Sequence, residues 1–359
     1  MKTPISFLDD QALISKLDPS KMAQTIADLP QQLIQTFEEV KKLKITPILA
    51  KPSNIVTVGM GGSGLGAHFI NSIFSDEVQI PHIIVNDYVL PEFAGEASLV
   101  FLISYSGNTL ETLDAAQQAM AKKSQIFVIS AGGKLANFAK KNNLPHWVFD
   151  PKANFCGQPR LGLGYLALGQ ILVLEKLGQL EFSEENFKRI LSVTDAAAKK
   201  FGLEVELGQN LAKSVASAIF GKMPVVIAAQ FLEANAHIMV NQINENAKMP
   251  SFWFKYPEAA HHFLESLKSL QTSENLVLVN LISEFYDDQI KKRFEITKEL
   301  ALKFMVKVVD VSLESGTPLE ECFAMLIFSS WIAFYLAILE KIDPTPVTTV
   351  DYFKNRLYS

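Results

Sequence analysis

Short apolar runs rich in β-branched residues recur through the first half of the chain at 55–60, 83–86, 99–104 and 126–130, and stretches with helical periodicity, broken by Gly or Asn, lie between them. Runs of this length without polar alternation predict strands buried on both faces, as in a parallel sheet covered by helices. The second half repeats the plan loosely: 224–229, 276–281 and 304–311 read as strands of another parallel sheet. Each half ends with a Gly-x-Pro turn before a long apolar helix, Gly157-Gln158-Pro159 in one and Gly316-Thr317-Pro318 in the other. The pattern predicts an α/β protein built by pseudo-duplication of one doubly wound parallel-sheet unit. Its expected parts are an N-terminal helical segment (1–50) packed across the outside, a first lobe (51–186), and a region (187–359) holding a connector, a second lobe and a C-terminal tail. The charge-rich helical stretch 187–218 reads as that connector.

Cys322 to Leu339 contains no charged residue and approaches the length of a membrane span. Two serines, Ser329 and Ser330, stand at its middle, acidic residues flank it, and no second span accompanies it. The expectation is a helix buried on all sides of a large α/β core. Of the 359 residues, 48% are hydrophobic and 20% charged, a globular balance. The formal net charge of −5 argues against a sequence-independent grip on nucleic acid, which needs a basic surface. The two cysteines, Cys156 and Cys322, are far apart and read as reduced thiols. Met1 to Asp10 lacks the basic-then-apolar layout of a signal peptide, so a cytoplasmic protein is expected.

Two segments carry candidate chemistry. Gly59-Met60-Gly61-Gly62-Ser63-Gly64 and Ser104-Tyr105-Ser106-Gly107-Asn108-Thr109 each follow a predicted strand and precede a predicted helix. Glycines let backbone N–H groups close on a phosphate, a helix start adds its positive dipole end, and hydroxyls complete the cage. Both loops fall at carboxyl ends of strands, where open α/β sheets bind ligands. The first also fits the GxGxxG of dinucleotide sites, but only Asp87 could serve as the ribose acid, and the second loop has no part in such a site. No GK[ST] follows, which excludes a P-loop. Together the loops favour a phosphate monoester. The corresponding places in the second half read Ala228-Ala229-Gln230 and Ile282-Ser283-Glu284, so only the first half keeps phosphate chemistry.

At these loops the chain resembles the sugar isomerase (SIS) domain family, whose SxSGNTxET signature stands here as Ser104 to Thr112. Within that family it is similar to the bifunctional phosphoglucose/phosphomannose isomerases over roughly 20–357. The likeness extends to Pro159-Arg160, Gly164-Tyr165, Asn244-Glu245-Asn246-Ala247-Lys248, and Asp343-Pro344-Thr345-Pro346-Val347 followed by Lys354. The resemblance implies two SIS-type lobes, a metal-free interconversion of glucose 6-phosphate and mannose 6-phosphate with fructose 6-phosphate, and a homodimer. It implies Glu245 as the base moving a proton between C1 and C2, Arg160 facing the enediolate, and Lys354 supporting ring opening. It also implies His261 as the ring-opening group, donated from the partner subunit, and Gly62, Ser63, Ser104, Ser106 and Thr109 as the phosphate cage. Where the family has His-Asn-Glu this chain has His261-His262-Phe263, which leaves His262 as an alternative.

These residue types suit the chemistry. A carboxylate can carry one proton across one face of a sugar, a cation or strong donor stabilises an enediolate, and histidine titrates in the range that ring opening needs. His68, His82, His146 and His237 are scattered, with no HxxxH or HxH pair, so neither a metal nor another cofactor is expected. Rival readings are another SIS isomerase acting on amino-sugar phosphates, which Asn244 to Lys248 opposes, and a non-catalytic sugar-phosphate regulator. The first fifty residues are too short and weakly basic for the DNA-binding module that such regulators carry.

Overall fold

The computed structural model describes residues 4–45 and 51–358. The chain divides into two compact units. One runs from Asp28 to Ser192, and the other combines the segment ending at Ala27 with the chain from Val193 onward. The N-terminal helical stretch is therefore shared, and the charge-rich connector contains the dividing point inside its helix Glu184–Phe201. Residues 46–50 of the expected helical segment lie outside the described residues.

The first unit holds five parallel strands, β1 (Asn54–Val58), β2 (His82–Val85), β3 (Ser98–Ser104), β4 (Gln125–Ser130) and β5 (His146–Val148), in the order β2-β1-β3-β4-β5. Every residue of β3 and β4 is buried, which explains why both read as unbroken apolar runs. Strand order reverses between β1 and β3, so their carboxyl ends open the crevice where doubly wound sheets take ligands. The helix Leu163–Lys176 is buried from Leu163 to Leu174. It packs against Leu29–Lys42 because Gly164 lets the backbones approach: a Cβ there would lie 2.5 Å from Cβ of Gln32. Gln32 is fully buried and stitches three segments, donating to the carbonyls of Ala153 and Leu161 and accepting from Gly164 N–H.

The second unit holds β6 (Met223–Ala229), β7 (Phe252–Tyr256), β8 (Leu276–Leu281) and β9 (Lys307–Val311), again all parallel, in the order β7-β6-β8-β9. The repeated order is the pseudo-duplication expected from the sequence. Two strands escaped the sequence reading. β5 has three residues, and β7 is an aromatic edge strand, Phe-Trp-Phe-Lys-Tyr, with no β-branched residue. The uncharged stretch forms the helix Pro318–Glu340, buried from Glu320 to Leu339. Among the described residues it is the helix long and apolar enough to cross a membrane, and all of that apolar window lies inside the lobe. Thr317 Oγ1 caps it by accepting from Glu320 N–H, and Glu320 returns the bond by accepting from Gly316 N–H.

Candidate active site

The first phosphate loop turns on Gly61, at φ +50°, and feeds the helix Gly62–Ile73. The second feeds Leu110–Ala121 from Thr109. Neither N-cap residue makes a side-chain capping bond, which leaves both helix starts open to an anion. The loops are braced on each other: Tyr105 N–H donates to Ser63 Oγ at 3.0 Å. Ser104 is fully buried; its Oγ accepts from Gly107 N–H at 3.1 Å and lies 2.8 Å from Thr109 Oγ1. Ser106 is exposed and Thr109 partly so, which makes their hydroxyls the accessible ones of the set. Ser106→Ala or Thr109→Val is expected to weaken 6-phosphosugar binding with little change in kcat, by about 1.5–3 kcal/mol for each lost bond to the charged group. Inhibition by inorganic phosphate measures this, and unchanged affinity in both variants would refute the loop assignment.

A third loop, unremarked in the sequence, supports the second. Ser130 Oγ donates to a carbonyl, with Ser104 O and Gly132 O both 2.8 Å away, and Leu135 N–H donates to Gly107 O. Gly107, at φ +69°, has no room for a side chain: a Cβ would overlap Gly132 O. The visible signal was a serine ending β4 ahead of Gly132-Gly133.

Arg160 is 2% exposed and sits on the short turn Pro159–Leu161. Its backbone lies directly over the first loop, since a Cβ on Gly62 would stand 2.8 Å from Arg160 N. Arg160 Nη1 donates to Gln158 Oε1 at 2.6 Å. Asn154 Nδ2 contacts both Gln158 O and the Tyr105 hydroxyl, and burial pushes the Tyr105 phenol well above its ordinary pKa, keeping it protonated. The first unit thus brings Gly62, Ser63, Ser104, Ser106, Thr109 and Arg160 together around one crevice. Tyr105, Asn154 and Gln158 are its unforeseen supports.

The remaining candidates belong to the other unit. Glu245 is half-buried in a π turn, Ile243–Ala247, that widens the end of the helix Glu233–Gln242. Lys248 ends that turn in the left-handed conformation, and its Nζ donates to the carbonyls of Glu245 and Asn246. Ser251 N–H donates to Asn244 Oδ1 at 2.8 Å, fixing the turn from its other side. His261 and His262 are both exposed, with the His262 ring edge-on to Phe254. Lys354 lies on the helix Thr348–Tyr358, exposed from Asp351 through Leu357.

At the matching crevice of the second sheet, the protein's own side chains take the ligand's place. The Tyr286 hydroxyl accepts from Ala229 N–H and donates to Leu281 O. Glu321, 1% exposed, accepts from Ser283 Oγ at 2.6 Å, while its Oε1 has no partner. Burial, with the Glu284 charge adding to it, pushes the Glu321 carboxyl from 4.5 up to about 7. The folded state therefore holds a proton that the unfolded state releases, and this contribution to stability is lost as pH rises from about 4.5 to about 7. Glu321→Gln is expected to match the parent at pH 4.5 and exceed it at pH 8 by roughly 1–3 kcal/mol. Chemical denaturation at the two pH values checks the sign, and a variant less stable at pH 8 would contradict it.

Two parallel-sheet lobes, one bearing serine- and glycine-rich loops at its switch point, define the SIS class of phosphosugar-handling proteins. Residues 48–144 match the SIS domain family, and residues 208–357 match the bacterial phospho-glucose isomerase C-terminal SIS domain. The chain is 30% identical to a bifunctional phosphoglucose/phosphomannose isomerase of Caldicellulosiruptor bescii, over 94% of this chain and 98% of that one. Its identity to the enzyme of the same description from Aquifex aeolicus is also 30%, over 89% and 94%. In fold it is similar to a hypothetical protein from Thermus thermophilus, with a TM-score of 0.76 at 16% identity over 99% of this chain and 94% of that one. The chain belongs to the bifunctional phosphoglucose/phosphomannose isomerase family.

Proposed function

We propose that the chain interconverts glucose 6-phosphate and mannose 6-phosphate with fructose 6-phosphate through an enediolate, without a metal. The observation that carries this reading is a buried arginine packed on a phosphate loop, in a chain aligned end to end with isomerases of that dual description. Phosphate, held by Ser106 and Thr109 with Ser63, Ser104 and Gly62 shaping the cage, anchors the unreactive end of the sugar. His261, with Lys354, opens the ring. Glu245 removes the proton at C2 of the aldose and returns it to C1, while Arg160 stabilises the oxygen that gains charge. Glucose and mannose 6-phosphates differ only at C2. One base serves both if the open chain rotates about C2–C3 while its phosphate stays fixed.

The reading includes a cytoplasmic homodimer that takes His261 from its partner subunit. Supporting it, His261 is exposed beside the edge strand β7, whose Phe252 is 52% exposed. Among the described residues no group of three His, Cys, Asp or Glu side chains is placed to hold a metal ion. The deciding experiment is a coupled assay of the purified protein with fructose 6-phosphate, reading both aldose products with and without EDTA. Both products should form at rates that EDTA leaves unchanged. Activity lost to chelator and restored by zinc or magnesium would sink the metal-free mechanism. Turnover of glucosamine 6-phosphate alone would favour the amino-sugar reading, and phosphate-competitive binding without turnover the regulator.

A further inference from the structure

We infer that Gln158 is a positioning residue that aims the Arg160 guanidinium at the reacting oxygen through a neutral amide; this rests on the reading of Arg160 as the enediolate stabiliser. A guanidinium that is 2% exposed must find acceptors within the protein, and Gln158 Oε1 supplies one at 2.6 Å. Gln158 is itself fixed. Its carbonyl accepts from Leu161 N–H and lies 3.0 Å from Asn154 Nδ2, whose other contact is the Tyr105 hydroxyl at 2.7 Å. Tyr105 in turn donates its N–H to Ser63. A continuous chain of contacts thus runs from both phosphate loops to one face of the guanidinium.

The kind of acceptor matters. A carboxylate at this place would form a charge-assisted pair with the guanidinium and oppose its charge before any substrate arrived. A primary amide accepts the same hydrogen bond through its oxygen while carrying no net charge. It orients the cation and adds nothing against the field that favours an enediolate over the neutral sugar. Gln158 therefore acts on the transition state through Arg160 and touches no reacting atom.

The test uses the full-length protein and the variants Gln158→Glu, Gln158→Met and Arg160→Met. Two probes are compared: a planar hydroxamate bearing a terminal phosphate, which mimics the enediolate, and an acyclic alditol 6-phosphate, which mimics only the neutral chain. Both Gln158 variants should lose about tenfold to a hundredfold in kcat and bind the hydroxamate correspondingly less tightly, below the hundredfold to thousandfold typical of removing an oxyanion donor itself. Their affinity for the alditol phosphate should stay within about twofold of the parent, and in an Arg160→Met background Gln158→Met should add less than about twofold. Equal weakening of both probes would mean a merely structural role, and an unaffected hydroxamate would mean no role; either overturns the inference. If Arg160→Met itself leaves hydroxamate binding intact, the Arg160 assignment fails. If Arg160→Met weakens it and the Gln158 variants do not, only the inference about Gln158 fails.

Discussion

Glu245→Gln should abolish the glucose and mannose isomerase activities together, by on the order of a hundredfold to ten-thousandfold, the usual cost of removing a general base. The substitution keeps the shape of the side chain and takes away the basic oxygen. Substrate affinity should persist, because the phosphate cage belongs to the first sheet and Glu245 to the turn Ile243–Ala247 in the other unit. The sharper readout is isotopic. The parent should exchange solvent deuterium into C1 of fructose 6-phosphate, and the variant should not. Loss of the mannose activity alone, or retained exchange, would mean that a second base exists and that Glu245 does not carry the proton.

Gly107→Ala should be nearly as damaging for a different reason. The residue combines φ +69° with a position where a Cβ would overlap the Gly132 carbonyl oxygen. The backbone must rotate to escape. Doing so releases the bonds from Gly107 N–H to Ser104 and from Leu135 N–H to Gly107 O, and with them the set of Ser106 and Thr109. Losing two bonds to a phosphate at about 1.5–3 kcal/mol each predicts a KM raised roughly a hundredfold or more. Gly178→Ala is the control: φ is +68° there, but a Cβ would meet nothing within 4 Å. It should cost about 1 kcal/mol of stability for the left-handed strain and leave KM unchanged. If both variants bind substrate normally, the close approach at Gly107 does not matter to the cage.

Much of the architecture is legible in the sequence because β1, β3, β4, β6 and β8 are buried on both faces, and such strands must be apolar throughout. β7 was missed because an edge strand can be built from aromatics and a lysine, and β9 was read three residues too early because Phe304 caps the preceding helix. The loops were legible as glycine and serine clusters after strands. Their bracing was not: the contacts from Tyr105 to Ser63 and from Asn154 to Tyr105 join residues 42 and 49 positions apart. Nor could spacing reveal that Gly62 touches the Arg160 backbone, a contact made only by folding. The buried pair Ser283–Glu321 was equally hidden, since a glutamate in the first turn of a helix ordinarily reads as a solvated partner of the helix dipole.

The π turn that carries Glu245 has a consequence for how this segment tolerates change in length. A π turn accommodates one residue more than an α turn and persists only while its neighbours hold it open. Here the left-handed Lys248 and the bonds between Asn244 and Ser251 do so. Deleting one residue between Gln242 and Lys248 would let the helix close into regular α pitch and swing the following side chains by about 100°. Single-residue deletions across this stretch should therefore silence the enzyme even where alanine substitutions at the same positions do not. Lineages that drift freely in loop length elsewhere should hold the interval between this helix and β7 constant.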